Sequence, residues 1–331
     1  MSTAAFPPAR SSGNALAASP VAQPPDTSLD PLLLATAREQ HGMLTTQQAA
    51  RAGVSAPALV SLVRAGVLRH PGRGLYAVES LVAPQAEPER WHRQLCAGAF
   101  LVYPDAVLAG TSALLAHGIP VWGASLAVPS ILRPVKRRGG MGAFWVRPLR
   151  GRVVQTRWGP ASAVAEALVQ HALDRGIVPG VVSADAALRE HLVTVDQVVL
   201  ATAAVETWPH ASRAASVLAF VDGRRESVGE SRCGVALAMA GIPVVPQMSI
   251  HDDEGRFVAR VDFLVEGTKV VVEFDGKVKF ASGDPQVLWD EKRREDRLRR
   301  LGYVVVRLTW SDLERPGVVA AVVRAALRAA S

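Results

Sequence analysis

The stretch RVDFLVEGTKVVVEFDGKVKF, residues 260–280, decides the fold of the C-terminal part of this chain. Apolar and polar residues alternate on both sides of Gly267–Thr268, which is the pattern of two antiparallel strands joined by a short turn. If the turn has two residues, Asp262 lies directly across from Glu273. Because like charges that face each other destabilise a sheet, this pair indicates a place for a cation.

A divalent metal is the candidate cation, and Asp275 lies two residues further along the same face as a third ligand. The length of the turn controls this prediction, because a three-residue turn moves Asp262 and Glu273 to opposite faces of the sheet. The other interpretation of the same three carboxylates is a solvated polar face.

Composition favours a nucleic-acid partner in a reducing compartment. The chain has 331 residues and a formal net charge of +7, which favours polyanions over a membrane surface. Its two cysteines, Cys96 and Cys233, form no CxxC pattern, so the sequence indicates neither a disulfide framework nor a zinc site. Without a signal peptide or an apolar run of about eighteen residues, we expect a cytoplasmic protein with no membrane partner.

The order of patterns predicts an α/β multi-domain protein. It begins with a disordered leader rich in Ala, Pro and Ser, since that composition buries too little apolar surface to offset the ordering entropy. The predicted units are the leader at 1–28, a winged helix-turn-helix at 29–80, an α+β middle domain with basic strands at 90–221, and a restriction-endonuclease-like α/β domain at 222–331.

The N-terminal prediction rests on three short helices followed by a hairpin. Thr45 or Thr46 caps the second helix, the third runs from about Ser55 to Arg64, and VLRHPGRGLYAV, residues 67–78, reads as the hairpin. In a winged helix the third helix enters the major groove and the hairpin tip lies on phosphates. We therefore expect Arg64 to read bases, and Arg69 and Arg73 to contact the backbone; the alternative is a winged helix used for protein contact.

This segment resembles the N-terminal antitoxin domain of the AbiEi family in the run GMLTTQQAARAGVSAPALVSLVRAGVLRHPGRGLYAV, residues 42–78. The resemblance covers about fifty residues. It implies a transcription-repressing partner of a type IV toxin-antitoxin system.

The middle region carries a basic stretch from 123 to 160 with no acidic residue. On short strands such a run suits contact with DNA phosphates, and we expect Arg137 and Arg138 to make these contacts. The alternative is that these charges protect strand edges from aggregation. We expect His171 and His191, on the helices that follow, to lie on helix surfaces, since no Cys or acid stands at ligand spacing with either.

The last hundred residues read as helix, three strands, helix, strand and closing helix, and they resemble the PD-(D/E)XK nuclease superfamily, in the group related to very-short-patch repair endonucleases. The motifs that carry the resemblance are GES (229–231), VDF (261–263), VVVEFDGKVKF (270–280), EKRREDRLRRLGY (291–303) and VVRLTW (305–310).

The resemblance implies that Asp262 and Glu273 bind Mg²⁺ or Mn²⁺ and that Glu230 reaches the same site from its helix. It departs from the superfamily at Asp275, which stands where a lysine is expected. Lys277 and Lys279 come later in the chain as substitutes. A lysine beside the metal would orient the attacking water and stabilise charge on phosphorus, so Asp275 implies weaker hydrolysis or a second ion.

The charged helix from Leu288 to Leu301 offers Arg293 and Arg297 for the DNA backbone. The alternative is a solvent face held by i,i+4 salt bridges. Arg307, inside an apolar strand, is expected to pair with a carboxylate near the strand of Glu273.

Two functions follow from these patterns, with DNA as the partner in both. The first is a Mg²⁺-dependent DNA endonuclease that uses Asp262, Glu273, Glu230 and either Lys277 or Lys279. The alternative is a non-catalytic repressor or antitoxin with a degenerate nuclease-like domain and a cognate toxin as second partner. A third function, that of a nucleotidyltransferase, is not supported, because the sequence has no P-loop or glycine-rich phosphate cradle. The sequence leaves the oligomeric state open.

Overall fold

The computed structural model of the chain describes residues 29–84, 86–276 and 285–330. The predicted leader and the candidate lysines Lys277 and Lys279 lie outside these residues. Within them, helices combine with three separate sheets, which agrees with a mixed, multi-domain chain. Across the described ranges, no helix has the length and apolarity needed to cross a membrane.

The N-terminal segment folds into three helices and a three-stranded sheet of order β1-β3-β2. Its elements are α1 (Pro31–Glu39), β1 (Met43–Thr45), α2 (Thr46–Arg51), α3 (Ala56–Arg64), β2 (Leu68–Gly72) and β3 (Leu75–Val78). Thr45 caps α2 in a reciprocal box with Gln48, and Ser55 caps α3. Strand β1 was not predicted, because three residues are too few to show a period.

The middle segment wraps helices around a six-stranded sheet of order β6-β7-β5-β4-β9-β8. Its elements are a 3₁₀ turn (Glu79–Leu81), α4 (Pro88–Val102), β4 (Val107–Leu108), α5 (Gly110–Ala116), β5 (Ser130–Arg133), β6 (Gly139–Met141), β7 (Phe144–Pro148), β8 (Val153–Thr156), β9 (Gly159–Ser162), α6 (Val164–Arg175), α7 (Ile177–Arg189), α8 (Val195–Ala203) and α9 (Ala211–Phe220). The basic stretch does form strands.

The surface position predicted for His171 is wrong, whereas His191 is exposed as expected. His171 is fully buried on α6, and its Nδ1 lies 3.0 Å from the Thr111 hydroxyl of α5. Helix α6 packs against α5, α7, α8 and α9, so almost every side of it faces protein.

The N-terminal and middle segments share one apolar core. Met43 and Leu75 of the first sheet belong to the same buried cluster as Leu95 and Ala99 of α4. Gln94 of α4 also donates from its amide to the carbonyls of His41 at 2.9 Å and Leu81 at 3.1 Å. The predicted boundaries at 80 and 90 therefore divide residues that pack together, and they stay a prediction about the units of the chain.

The C-terminal segment has a four-stranded sheet of order β10-β11-β12-β13, in which β12 and β13 are parallel. Its elements are α10 (Val228–Met239), β10 (Val244–His251), β11 (Phe257–Val265), β12 (Val270–Asp275), α11 (Pro285–Arg300), β13 (Val304–Thr309), α12 (Trp310–Leu313) and α13 (Val318–Ala330). Helices α10 and α13 pack on one face through Leu237 and Val323. Helix α11 covers the other through Leu298.

Two arginines join the middle and C-terminal segments. Arg225, just before α10, donates to the Asp185 carboxylate of α7 at 3.0 Å, and both side chains are buried. Arg232 of α10 lies 4.0 Å from the ring centre of Trp122 and 2.8 Å from Glu314. The Arg225–Asp185 pair is buried on both sides, and a buried charge needs its partner, so this contact makes the junction specific.

Candidate functional site

Helix α3 shows the division that the sequence predicted. Leu59 and Leu62 are buried against the rest of the segment, while Pro57, Ser61 and Arg64 are exposed. Arg64 lies in the last turn, where a cation also interacts favourably with the helix dipole. The outward face is thus small and uncharged except at its C-terminal end.

The tip of the β2–β3 hairpin touches the middle segment. A methyl group built on Gly72 would lie 2.4 Å from the backbone nitrogen of Ala143. The two backbone segments therefore approach each other as closely as glycine permits. Gly142 faces the backbone of Arg73 in the same contact. Arg73 is itself exposed. The hairpin tip and the β6–β7 turn therefore form one continuous surface.

Arg69 has a structural role rather than a free guanidinium. Its Nε donates to Glu79 at 3.0 Å, and its guanidinium carbon lies 4.6 Å from the ring centre of Trp91 on α4. The predicted phosphate contact at Arg69 would require both interactions to break. Sequence reasoning did not pair Arg69 with Glu79, because the two residues meet only when β2 and β3 form a hairpin.

The middle segment presents part of its basic stretch to solvent. Arg137 and Arg138 are exposed immediately before β6, as predicted for phosphate contact. Three residues of strand, roughly 10 Å, separate Arg138 from the β6–β7 turn that meets the hairpin tip. Other arginines of the stretch are neutralised, since Arg133 pairs with Asp105 at 2.8 Å and Arg147 pairs with Asp174.

The predicted strand register at the carboxylates is confirmed. Phe263 pairs with Val272 and Leu264 with Val271, and one further step of the same register sets Asp262 across from Glu273. The Asp262 Oδ2 accepts a hydrogen bond from the backbone N–H of Phe274 at 2.7 Å. One oxygen of Asp262 is thus occupied by the neighbouring strand.

The cation beside Glu273 is an arginine of the same chain. Arg294 of α11 donates to both carboxylate oxygens, at 3.1 and 2.7 Å, and the two side chains are 24% and 13% exposed. Arg307 lies beside Glu273 on the parallel strand β13, and its guanidinium forms an ion pair with Glu295 of α11 at 2.8 Å. The sequence predicted a carboxylate partner for Arg307 and did not single out Arg294.

Glu230 and Asp275 complete the predicted set. Glu230 is 7% exposed, and its Oε2 accepts from the Gln247 amide at 2.8 Å and from the Glu226 N–H at 2.9 Å. Burial raises the pKa of the Cys233 thiol on α10, and the charges of Asp262 and Glu230 raise it further, so both carboxylates lie near this part of α10. The Asp275 Oδ1 is buried with no hydrogen-bond partner among the described residues.

Protein groups occupy several of the oxygens predicted to bind a metal ion. Both oxygens of Glu273 are held by Arg294, and the Oε2 of Glu230 and the Oδ2 of Asp262 accept protein N–H groups. Over residues 29–84, 86–276 and 285–330, no three His, Cys, Asp or Glu side chains gather as a metal site. Among these carboxylates, the buried Asp275 Oδ1 lacks a hydrogen-bond partner in the described part of the chain, and buried polar atoms normally have one.

Two arginines of α11 face solvent, as predicted. Arg293 and Arg297 are exposed, and the Arg297 Nε donates to the Arg293 carbonyl at 3.4 Å. Arg299 pairs with Glu295 four residues earlier. The helix therefore combines both interpretations, with an intrahelical ion pair beside two exposed arginines.

Comparison with known proteins places one part of the chain. Residues 31–78 match the family model described as transcriptional regulator, AbiEi antitoxin. The matched span runs from the start of α1 to the end of β3. It supports the resemblance noted for the N-terminal segment.

Two curated relatives come from Mycobacterium tuberculosis: the uncharacterized proteins MT2308 of strain CDC 1551 / Oshkosh and Rv2248 of strain H37Rv. Each is 33% identical over 110 residues, which is 33% of this chain. The chain spans 40% of the length of each relative.

Proposed function

We propose that this chain is a DNA-binding transcriptional regulator of the antitoxin type, whose residues 29–80 act as a winged helix-turn-helix. The match of residues 31–78 to the AbiEi antitoxin regulators carries the proposal. The matched span holds the elements that such a module uses, in the required order: three capped helices and a two-stranded wing. In that module α3 enters the major groove, and the β2–β3 hairpin lies along the backbone.

Different exposed arginines contact the bases and the phosphates of the DNA. Arg64, at the end of α3, is the candidate for base readout, since arginine donates to guanine O6 and N7. Arg73 on the wing tip is the candidate phosphate contact. Because the tip abuts Gly142, Arg137 and Arg138 extend the same positive surface onto the middle segment. Arg69 contributes by holding the wing on α4 through Glu79 and Trp91.

A cognate toxin protein is the second proposed partner, because the matched regulators are antitoxins. We place the complex in the cytoplasm, where a transcriptional regulator meets DNA. Co-purification with the product of the adjacent reading frame tests this partner.

Fluorescence anisotropy with labelled DNA from upstream of the gene tests the DNA-binding proposal. Arg64→Ala is expected to cost about 1–3 kcal/mol on that sequence and less on random DNA. Arg73→Ala is expected to weaken binding to both DNAs equally and to lower the slope of log K against log salt concentration by about 1. Arg256→Ala, at an exposed C-terminal position, is the control. Equal affinities for Arg64→Ala and wild type would remove α3 from the interface.

A second candidate, a Mg²⁺-dependent endonuclease, is favoured by one observation. The order α10-β10-β11-β12-α11-β13 agrees with the helix, three strands, helix and strand of the resemblance to nucleases, and Asp262 and Glu273 come one step beyond the paired Phe263 and Val272. This candidate requires that Arg294 leave Glu273, because its guanidinium now holds both oxygens. Plasmid nicking with Mg²⁺ or Mn²⁺ that disappears in Asp262→Ala and Glu273→Ala would establish it.

A further inference from the structure

A cleft of about 340 Å³ opens in the middle segment, and none of its lining residues belongs to the N-terminal segment or to the predicted carboxylate site. Strand β7, the loop after it, the end of α6 and the residues before α9 surround it. Its lining includes Arg138, Arg147, Arg150, Gln170, Trp208 and His210, and we call it the arginine cleft. A neighbouring cavity of about 480 Å³ shares Arg138, Arg147 and His210.

The arginine cleft has more positive than negative charge. Arg147 is neutralised by Asp174, the carboxylate that lines the cleft with it. Arg138 and Arg150 are exposed, and neither forms an ion pair with any residue in the described part of the chain. Arg150 instead lies 5.4 Å from the ring centre of Trp208. Two unneutralised guanidinium groups that line one concave site favour an anion, and guanidinium geometry suits phosphate.

The rest of the lining suits a planar, partly apolar group beside that anion. Leu132 and Leu173 are buried side chains at the cleft, and Trp208 adds an aromatic ring. The Gln170 Oε1 accepts from the Gly110 N–H at 3.0 Å, which fixes the amide and leaves its NH₂ group as a donor. Nucleic-acid bases bind to sites of this composition by stacking on aromatic rings and by hydrogen bonds to their edges.

The volume of the arginine cleft limits its ligand to a single small molecule. Small-molecule sites begin at about 300 Å³, and this cleft lies at that lower bound. A single nucleotide is a ligand of this class, whereas a duplex has its bases stacked inside and offers only phosphates to such a cleft.

We propose that the arginine cleft binds one nucleotide unit, with its phosphate between Arg138 and Arg150 and its base against Leu132, Leu173 and Trp208. Two sources share this chemistry: a free nucleoside monophosphate and a nucleotide of a single-stranded nucleic acid. The proposal goes beyond the regulator function, because that function rests on the N-terminal segment.

Isothermal titration calorimetry on the full chain tests the proposal. The probes are AMP, GMP, CMP and UMP, inorganic phosphate, and single-stranded oligonucleotides of mixed sequence. Arg138→Ala and Arg150→Ala are expected to weaken binding by about tenfold or more, since a hydrogen bond to a charged group contributes about 1.5–3 kcal/mol. Arg256→Ala is the control, because Arg256 is an exposed arginine of the C-terminal segment and does not line the cleft.

The relative affinities identify the source. Tighter binding of a monophosphate than of the oligonucleotides supports a free nucleotide, and the reverse order supports a single strand. The proposal is overturned if no probe binds, if inorganic phosphate binds as tightly as every nucleotide, or if Arg256→Ala weakens binding as much as Arg138→Ala and Arg150→Ala do. Because all three arginines are exposed, circular dichroism of each variant is expected to match wild type.

Discussion

Arg294 of α11 holds both carboxylate oxygens of Glu273 on β12, with N–O distances of 3.1 and 2.7 Å. A bidentate pair of this kind is stronger than a single contact between the same charges. It also supplies a cation at this end of β11 and β12, where Asp262 and Glu273 come one step beyond the paired Phe263 and Val272. The side chain that neutralises the sheet is therefore part of the protein.

Replacing Arg294 by Ala is expected to destabilise the C-terminal segment. The Glu273 carboxylate, which is 13% exposed beside Arg294, would lose its bidentate partner. Loss of one partner from a buried pair costs about 3–5 kcal/mol, and partial exposure reduces this to about 1–3 kcal/mol. Urea unfolding measures the change. Arg293→Ala, one residue earlier and exposed, is expected to stay within about 0.5 kcal/mol of wild type. Equal stability of the two variants would show that the pair contributes nothing.

Adding a methyl group at Gly72 is expected to push the wing tip away from the middle segment. The new carbon would lie 2.4 Å from the Ala143 nitrogen, and backbone atoms move only at a cost of about 1–3 kcal/mol. Gly140→Ala is the control, because nothing lies within 4 Å of a methyl group there. Hydrogen exchange at the β6–β7 turn should rise in Gly72→Ala alone. An unchanged exchange rate would argue against the contact.

The contribution of His171 to stability is expected to fall as the pH is lowered from about 6.5 to about 4. Burial first, and then the charge of Arg175, lower the pKa of His171 to about 4, against 6.5 in the unfolded chain. In this window the unfolded chain binds more protons, so acid favours unfolding by up to about 1.4 kcal/mol per pH unit for this group. Thermal unfolding of His171→Gln at several pH values should give a smaller slope of stability against pH than wild type. His191→Gln, at an exposed position, should leave this slope unchanged. Burial also lowers the pKa of His92, so part of the slope remains.

Local patterns predicted the elements that short-range physics controls. The cap of α2 was predicted at Thr45 or Thr46, because Ser and Thr side chains satisfy free N–H groups at helix starts, and it lies at Thr45. The register of Asp262 against Glu273 followed from alternation and a two-residue turn. In each case the decisive residues lie within about a dozen positions of one another.

Long-range packing decided what the sequence did not show. Arg294 reaches Glu273 because Leu298, one turn later on α11, is buried against the sheet and fixes the rotation of the helix. The contact of Gly72 with Ala143 joins residues some seventy positions apart, and no local pattern reports it. The burial of His171 had a signal that was missed: α6 is rich in Ala and Leu on all sides, which is typical of a helix covered by protein.

The measurement that tests the central claim most directly is a gel assay of the full chain with plasmid DNA that carries the region upstream of the gene, in Mg²⁺ and then in Mn²⁺. A DNA-binding regulator retards the plasmid and leaves it intact, and Arg64→Ala reduces the retardation. Nicking that disappears in Asp262→Ala and Glu273→Ala, or the absence of any retardation, would contradict the account.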